Sequence, residues 1–332
     1  MATLDETPRR SAAAEILWPT PSVLPPPTDN PDLMEISLGP NHPSTHGVLR
    51  LVVTLDGETV VGLHNELGYV HTGIEKNMEH KSYWKAITYA PRADYNSFFC
   101  NELVYVMGVE KLLGLEVPRR GEWIRALFTE LQRLHNHLIF LGTGSIDLGG
   151  IGLLFYCFRE RDHVLDLFEL ATGVRMHSRY AQVGGVAEDL PAGFEAEARK
   201  FVKYMRARLG EYEGMFEANP IFIDRTRGIG IITPEFARRM GLTGPNARAS
   251  GVDWDLRVHE PYGAYRELGV ESHLRHGGDT YDRYMIRIDE MRQSVDIIER
   301  ILDGMPAGAW QASDRKVVLP PRHELHTSME SL

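Results

Sequence analysis

The chain has 332 residues and carries 36 Lys and Arg against 46 Asp and Glu, which gives a formal net charge of −10. This acidic excess argues against a nucleic-acid partner, because backbone phosphates are held by clusters of Lys and Arg. The two cysteines, Cys100 and Cys157, are too few for a disulfide framework or an all-cysteine metal site and are typical of a reducing compartment. No window reaches the run of about 18 apolar residues that a membrane span requires.

The first segment of the chain contains three consecutive prolines at 25–27 and the acidic residues Asp5 and Glu6. It has no apolar stretch typical of a signal peptide, and the early acids argue against a transit peptide. We predict a flexible, Pro-rich extension over residues 1–33.

Three short strands are predicted next, followed by a change to helical apolar spacing. An Asp56-Gly57 hairpin signal separates the last two strands. The strands are predicted at residues 34–38, 48–55 and 58–63. Long helices are predicted at residues 94–113, 122–141, 152–172, 191–216 and 279–302, and a short one at 234–240. The helix at 122–141 is expected to stop at the Gly142-Thr143-Gly144 break.

These elements predict a mainly α, α+β chain with a small antiparallel β unit followed by a bundle of long helices. Residues 242–257 contain too much Gly, Asn and Ser for a helix and are expected to be irregular. The predicted organisation after the extension is a β unit at 34–66, a helical bundle core at 67–225, an irregular loop region at 226–278, and a long helix with a truncated C-terminal segment at 279–332.

Several polar residues are candidates for chemistry, but each also has an ordinary structural explanation. His46 lies in the loop GPNHPSTHG and is by itself a metal ligand, a proton donor or, most simply, a turn residue. Asp94 is a natural N-cap, which puts Tyr95 in the first helical turn. Asp147 is expected near a helix end. His135 and His137 are two residues apart on a helix, so they face different directions and are not expected to chelate one ion.

Taken together, seven sequence strings resemble one family closely. They are collinear from about residue 35 to residue 332. The strings are GPNHPSTHGVLR at 39–50, GYVHTGIEKNMEHK at 68–81, PRADY at 91–95, FRERD at 158–162, GGVAEDLP at 184–191, LTGPNARASGVDWDLR at 242–257 and YDRYMIRIDEMRQS at 281–294. The chain resembles the D subunit of the proton-pumping NADH–quinone oxidoreductase (respiratory complex I), the counterpart of the mitochondrial 49-kilodalton subunit.

The resemblance implies a fold like the large subunit of nickel–iron hydrogenases, without its metal site, in which a small antiparallel β unit packs on a long-helix bundle. That relative binds its metal through cysteine pairs, the first in an RxCxxC-like segment, where this chain has Asp94 and Ser97. Hard oxygen ligands do not replace thiolates at such a site. A stand-alone hydrogenase-like metalloenzyme is therefore the disfavoured alternative.

In the family, the corresponding cavity binds a quinone headgroup as substrate. The resemblance implies that Tyr95 and His46 are hydrogen-bond donors that surrender protons to the quinone, and that Asp147 is the acidic partner of His46. Arg92 and His177 match positions that lie against the terminal iron–sulfur cluster of a neighbouring subunit. This chain is expected to ligate no metal and no cluster, and NAD is expected to bind to another subunit.

The implied activity is that of a proton-translocating NADH:quinone oxidoreductase, with a chain that is not active alone. The implied partners are other complex I subunits, especially the one with the terminal cluster, the C subunit and the membrane arm. The implied location is peripheral, on the cytoplasmic side of a bacterial inner (plasma) membrane. Two features depart from the family: Gln182 replaces an Arg, and the chain stops at Leu332, before a further C-terminal region. The alternative is a truncated or non-catalytic structural paralogue in the same kind of complex.

Overall fold

The structure, a computed structural model, describes residues 30, 32–320 and 324–331. The Pro-rich extension predicted at residues 1–33 therefore lies outside the described residues except for its last positions. The chain folds as two compact units, of which the first ends at Gly73 and the second begins at Ile74. We call them the β unit and the helical unit.

The β unit is built on one antiparallel sheet with the strand order β1-β2-β3. Ile36 of the first strand lies opposite Val53 of the second, which lies opposite Leu63 of the third. Gly57, with a φ of +60°, makes the tight turn that the Asp-Gly pair predicted. The strands are β1 (Leu33–Leu38), β2 (Arg50–Asp56) and β3 (Thr59–Glu66). All three predicted strands are confirmed, with limits that differ by a few residues.

The helical unit consists mainly of α-helices, which confirms the mainly α, α+β class. A small second sheet pairs β4 (Ala181–Gln182) with β5 (Gly185–Val186). The helices are α1 (Ile74–Glu79), α2 (Tyr83–Ala86), α3 (Ala90–Ala93), α4 (Phe98–Leu113), α5 (Arg119–Asp147), α6 (Ile151–Thr172), α7 (Phe194–Glu217), α8 (Pro220–Thr226), α9 (Pro234–Arg239), α10 (Gly244–Ala249), α11 (Leu256–His259) and α12 (Thr280–Gly304). In the part of the chain that the structure describes, no helix is both long and apolar enough to cross a membrane.

The longest of these helices, α5, has 29 residues and packs against both α6 and α12. Its side chains are buried around most of its circumference, and five leucines on it have no exposed surface at all: Leu127, Leu131, Leu134, Leu138 and Leu141. A helix that buries most of its faces lies inside a protein rather than on its surface. Polar side chains on α5 therefore lie inside the helical unit, where they can form hydrogen bonds with the segments that pack around the helix.

The stop predicted at Gly142-Thr143-Gly144 is wrong, because α5 continues to Asp147. A Cβ atom at Gly142 would lie 3.1 Å from the Cβ of Cys157 on α6, and one at Gly144 would overlap the hydroxyl oxygen of Tyr284 on α12. These two glycines allow neighbouring helices to approach closely; they do not end the helix.

The segment 242–257, which the sequence predicts to be irregular, contains two short helices, α10 and α11. Asp255 is the N-cap of the second, and its carboxylate accepts a hydrogen bond from the backbone N–H of Arg257 at 2.9 Å. The side chains of Arg248 and Arg257 are buried. Polar contacts made inside the protein, which composition does not reveal, thus hold these short helices.

Candidate functional site

Tyr95 begins a short 3₁₀ turn, Tyr95–Ser97, directly before α4. The carboxylate of Asp94 accepts a hydrogen bond from the backbone N–H of Asn96 at 3.1 Å, which confirms the predicted N-cap. The Tyr95 side chain is 45% exposed. A phenol therefore stands on the surface of the helical unit, on a turn whose backbone is fixed.

Side chains of α5 hold the backbone carbonyl of Asn96. Gln132 Nε2 donates to it at 2.8 Å, and Asn136 Nδ2 donates at 3.4 Å. His135 Nδ1 lies 3.2 Å from the same oxygen and 3.2 Å from Gln132 Nε2, so the ring tautomer decides whether it donates to the carbonyl or accepts from the amide. Gln132 Oε1 also accepts the N–H of Phe99 at 3.2 Å. The turn before α4 is thus attached to the buried helix α5.

Arg92 and His177 lie close to each other in the helical unit. Burial, and then the positive charge of Arg92, lower the pKa of His177, while a hydrogen bond with the backbone of Pro91 opposes them. The His177 ring packs edge-on against Phe98, with 5.7 Å between ring centroids. His177 therefore stays neutral to a lower pH than an ordinary histidine, beside a permanent cation.

Glu102, fully buried on α4, anchors the loop that follows His177. Its Oε1 accepts the N–H of Arg179 at 2.8 Å, and its Oε2 accepts the N–H of Tyr180 at 3.0 Å. The φ angles of His177 and Arg179 are +57° and +54°. This left-handed region costs a residue with a side chain about 1 kcal/mol, so the loop needs such an anchor.

His46, in the β unit, follows a 3₁₀ turn, Pro43–Thr45, between β1 and β2. Its φ is +53°, and its N–H donates to the carbonyl of Pro43 at 3.3 Å. Thr45 is buried under the turn, and its hydroxyl donates to the carbonyl of His42 at 3.0 Å. The backbone at His46 thus forms a turn, which is the simplest of the explanations that the sequence allows for this residue. Its side chain is exposed.

Asp147 is the last residue of α5, which confirms its predicted place near a helix end. After burial, the charge of Asp147 is the largest cause that raises the pKa of Tyr284 on α12. Asp147 lies 11 residues beyond Asn136, about 16 Å further along the helix axis. Within the helical unit, Arg92, Tyr95 and His177 therefore belong to one region, and Asp147 lies at a different level of α5.

Asp94 and Ser97, which the sequence resemblance matches to metal-ligand positions of hydrogenases, both lie at N-cap positions, and only Asp94 makes a side-chain capping hydrogen bond. Asp94 is the N-cap of the 3₁₀ turn, and Ser97 occupies the N-cap position of α4. Among the residues that the structure describes, no group of three or more His, Cys, Asp or Glu side chains is arranged to hold a metal ion.

Sequence reasoning missed a buried polar cluster at the centre of the helical unit. Glu130 of α5 accepts hydrogen bonds from Arg257 Nη1 at 3.1 Å, Tyr265 at 2.6 Å and Ser294 at 2.6 Å. Burial opposes its charge, but Arg133, Arg257 and these hydroxyls outweigh it and lower the pKa of Glu130 to about 2. The carboxylate therefore stays ionised inside the bundle.

A second buried carboxylate, Glu290 of α12, continues this cluster. It accepts Arg248 Nη2 at 2.6 Å and lies 2.8 Å from His137 Nε2. Burial lowers the pKa of His137 to about 4 against the opposing pull of Glu290, so the ring is neutral at pH 7 and donates its Nε2 proton. The prediction that His135 and His137 point in different directions is confirmed, since His135 lies against the carbonyl of Asn96 and His137 against Glu290. The sequence signal that could have revealed this cluster is that charged residues stand at positions of α5 where the apolar pattern of the helix predicts burial.

Gln182, where the sequence resemblance implies an Arg, lies in β4. Its carbonyl accepts Arg125 Nη2 at 2.7 Å, and Arg125 also bonds Glu110 at 2.6 Å. The Gln182 amide itself donates to the carbonyl of Arg179 at 3.4 Å. The guanidinium group of Arg125, on α5, therefore binds the backbone carbonyl of residue 182 although the side chain at that position is uncharged.

Comparison with known proteins identifies the family of the chain. The family model described as respiratory-chain NADH dehydrogenase, 49 Kd subunit, matches residues 147–332. The D subunit of the NADH-quinone oxidoreductase of Thermus thermophilus is 50% identical over 91% of this chain and 74% of its own length. A D subunit of Roseiflexus sp. is 50% identical over 91% and 73%, and that of Deinococcus radiodurans 48% over 91% and 75%. The chain belongs to the family of the 49-kilodalton subunit of respiratory-chain NADH dehydrogenase and is a subunit of an NADH-quinone oxidoreductase.

Proposed function

We propose that this chain forms the quinone headgroup site of the complex and supports electron transfer to quinone from an iron–sulfur cluster of a neighbouring subunit. The observation that carries the proposal is the segment 92–95. It combines the exposed phenol of Tyr95 with Arg92, which lies beside His177, on a backbone that α5 holds in place. A proton donor and a cationic surface are thus within one short segment.

Quinone reduction defines what the protein must supply. A quinone has two carbonyl acceptors, and its conversion to quinol consumes two electrons and two protons. In the proposed site the Tyr95 hydroxyl donates to one carbonyl and the His46 imidazole to the other, and each gives up one proton as negative charge develops on the oxygen. The carboxylate of Asp147 is the acidic partner of His46 and orients its imidazole ring. Both donors then regain protons from solvent.

The electrons come from outside this chain. In the proposal, Arg92 and His177 face the terminal cluster of the neighbouring subunit, where a positive charge and a hydrogen-bonding ring favour the reduced cluster. NAD binds elsewhere in the complex. We also propose that the chain contacts the C subunit and the membrane arm, lies peripherally on the cytoplasmic face of the inner membrane, and contributes to a reaction that is coupled to proton translocation.

The test is quinone reductase turnover of the assembled complex with Tyr95→Phe and with His46→Ala. We expect each to lower turnover by roughly 10²-fold or more, because a positioned proton donor contributes about that much. Tyr156→Phe is the matched control, since Tyr156 is 41% exposed on the same unit and lies against Arg159. It should leave turnover unchanged.

Normal assembly with unchanged turnover in both Tyr95→Phe and His46→Ala would contradict the proposed headgroup site. That outcome would favour the alternative, a structural subunit that assembles without reducing quinone.

A further inference from the structure

His177 lies in the loop between α6 and β4, and the backbone of this loop is unusual. The φ angles of His177 and Arg179 are +57° and +54°, so two residues with side chains occupy the left-handed region. Each of them costs about 1 kcal/mol. Such a loop keeps its conformation only where neighbouring groups hold it, so the position of the His177 ring depends on those groups.

The side-chain contacts that hold the start of the loop are weak. Arg175, two residues before His177, pairs with Asp166 of α6 at 2.9 Å, but both side chains are more than 40% exposed. Exposed ion pairs contribute about 1 kcal/mol or less, because water solvates and screens them. The stronger backbone contacts are those that follow His177.

Glu102, a buried residue of α4, makes the contacts that follow His177. Its Oε1 accepts the N–H of Arg179 at 2.8 Å, and its Oε2 accepts the N–H of Tyr180 at 3.0 Å. Hydrogen bonds to an ionised acceptor are about twice as strong as neutral ones, and both oxygens of a carboxylate accept. The Tyr180 ring also packs on Phe128, with 4.8 Å between ring centroids. The backbone is thus fixed two and three residues after His177.

A second buried carboxylate on α4, Glu110, holds the same segment further along. It accepts the N–H of Gly184 at 2.6 Å and pairs with the guanidinium group of Arg125 at 2.6 Å. Gly184 lies between β4 and β5, seven residues beyond His177. Both carboxylates therefore anchor this part of the backbone to α4, but only Glu102 does so next to His177.

We propose that Glu102 is a positioning residue for electron transfer: its hydrogen bonds with the backbone of Arg179 and Tyr180 hold the His177 ring against the cluster of the neighbouring subunit. This inference rests on the proposed function, in which His177 and Arg92 face that cluster. Glu102 has no exposed surface and acts only through His177.

The direction of a change in the cluster potential distinguishes this role from a direct effect of charge. Burial raises the pKa of Glu102 to about 7, against the opposing effects of backbone donors and Arg179, so the carboxylate is mostly ionised at pH 8. If Glu102 acted only through its charge, its replacement would remove a negative charge and raise the midpoint potential of the cluster. If it positions His177, its replacement displaces a ring that favours the reduced cluster and lowers that potential.

The test is a redox titration of the terminal cluster in the assembled complex at pH 8, followed by electron paramagnetic resonance. His177→Asn removes the ring, and asparagine tolerates the left-handed backbone, so this variant gives the potential without the ring. Glu102→Leu has no acceptor and should lower the midpoint potential in the same direction, by no more than His177→Asn does. Glu102→Gln leaves one of the two backbone donors without a partner and should cause a smaller decrease.

Glu110→Gln is the matched control, because Glu110 is also buried on α4 and holds the same segment at a site away from His177. It should lower the melting temperature of the complex and leave the cluster potential unchanged.

Hydrogen exchange tests the anchor independently of the cluster. In the assembled complex, the backbone amides of Arg179 and Tyr180 should exchange roughly tenfold faster in Glu102→Leu than in the wild type, which corresponds to the loss of about one hydrogen bond. In Glu110→Gln these two amides should exchange as in the wild type. Unchanged exchange at both amides in Glu102→Leu would contradict the anchor itself.

The potentials separate this inference from the proposed function. A lower potential in His177→Asn, with wild-type or higher potentials in both Glu102 variants, would overturn this inference alone. An unchanged potential in His177→Asn would overturn the placement of His177 against the cluster, and this inference with it. An equal decrease in Glu110→Gln would show that any loosening of the segment has the same effect, which contradicts a specific role of Glu102. If Glu102→Leu does not assemble, Glu102→Gln decides the test.

Discussion

At the scale of single residues, Glu102 is a buried carboxylate whose main partners are backbone N–H groups. Burial raises its pKa from 4.5 to about 7, although hydrogen bonds from the 179–181 backbone and the charge of Arg179 oppose the rise. The folded protein therefore holds a proton on Glu102 at pH values where the unfolded chain has lost it. The anchor of the His177 loop is thus sensitive to pH near neutrality.

The difference between the pKa of Glu102 in the folded and the unfolded state determines whether stability rises or falls with pH. Since the folded state binds more protons between pH 4.5 and 7, stability falls as pH rises through that window. The difference amounts to about 3 kcal/mol at most. Glu102→Gln should remove this fall, so its free energy of unfolding, measured from about pH 4.5 to 8, should decline less than that of the wild type. Glu116→Gln, an exposed control after α4, should follow the wild type. A curve for Glu102→Gln that runs parallel to the wild type would contradict this assignment.

At the scale of elements, glycines in α5 determine how closely helices pack. Gly142 is buried against Cys157 and Leu154 of α6, whereas Gly108 in α4 is exposed and has no neighbour within 4 Å of an added Cβ atom. Glycine thus permits close helix packing at position 142, whereas at position 108 it only adds backbone freedom.

The substitution of alanine at each position tests this difference. Gly108→Ala should stabilise the chain by about 0.5 to 1 kcal/mol, because alanine loses less backbone entropy in a helix. Gly142→Ala gains the same term but forces a methyl group into packed atoms, where overpacking costs about 1 to 3 kcal/mol, so the net change should be destabilising. Chemical denaturation measures both. Equal stabilisation by the two substitutions would show that Gly142 is not tightly packed.

These elements also show where sequence reasoning succeeds and fails. Period-2 and period-3.6 patterns located the strands and the long helices, because one buried face imposes the period. They failed at Gly142 and Gly144, because a glycine that ends a helix and one that admits a neighbouring helix are identical in sequence. The neighbour, Tyr284, is 140 residues further along the chain from Gly144.

At the scale of the whole molecule, buried charges connect segments that are distant in sequence. Arg257 bonds Glu130 of α5 at 3.1 Å and Asp255 at 2.7 Å, and all three side chains are at most 5% exposed. Arg206 of α7 makes ion pairs of similar length with Asp296 and Glu299 of α12, but at the surface. The chain thus offers a buried and an exposed version of the same interaction.

Replacement of the arginine should lower the free energy of unfolding much more at the buried ion pair than at the exposed one. Arg257→Leu leaves the buried carboxylate of Asp255 without its guanidinium and removes one of the two guanidinium groups that pair with the buried Glu130, which should cost about 3 to 5 kcal/mol. Arg206→Leu should cost no more than about 1 kcal/mol, because exposed pairs are solvated and screened. Urea denaturation of both variants provides the comparison. Similar small losses would mean that the buried cluster does not hold the bundle together.

The candidate site was predictable from sequence only in part. Motif strings contain Arg92, Tyr95 and His46, and the collinear match of the chain to the family between those strings added Asp147 and His177. The groups that hold them were not predictable, because Gln132 and Glu102 act through contacts across 36 and 77 residues. The string at 242–257 was singled out, yet its part in the cluster of Glu130 emerged only from the packing of Arg257.

The central claim is that quinone binds at residues of this chain. The most direct measurement is photoaffinity labelling of the assembled complex with a quinone whose headgroup carries the photoreactive group, followed by mass spectrometry of the labelled peptides. We predict that label is found on the 91–98 segment and on the 39–47 loop, and that excess quinone prevents it. Label confined to other subunits or to other parts of this chain, while the complex still reduces quinone, would contradict the account.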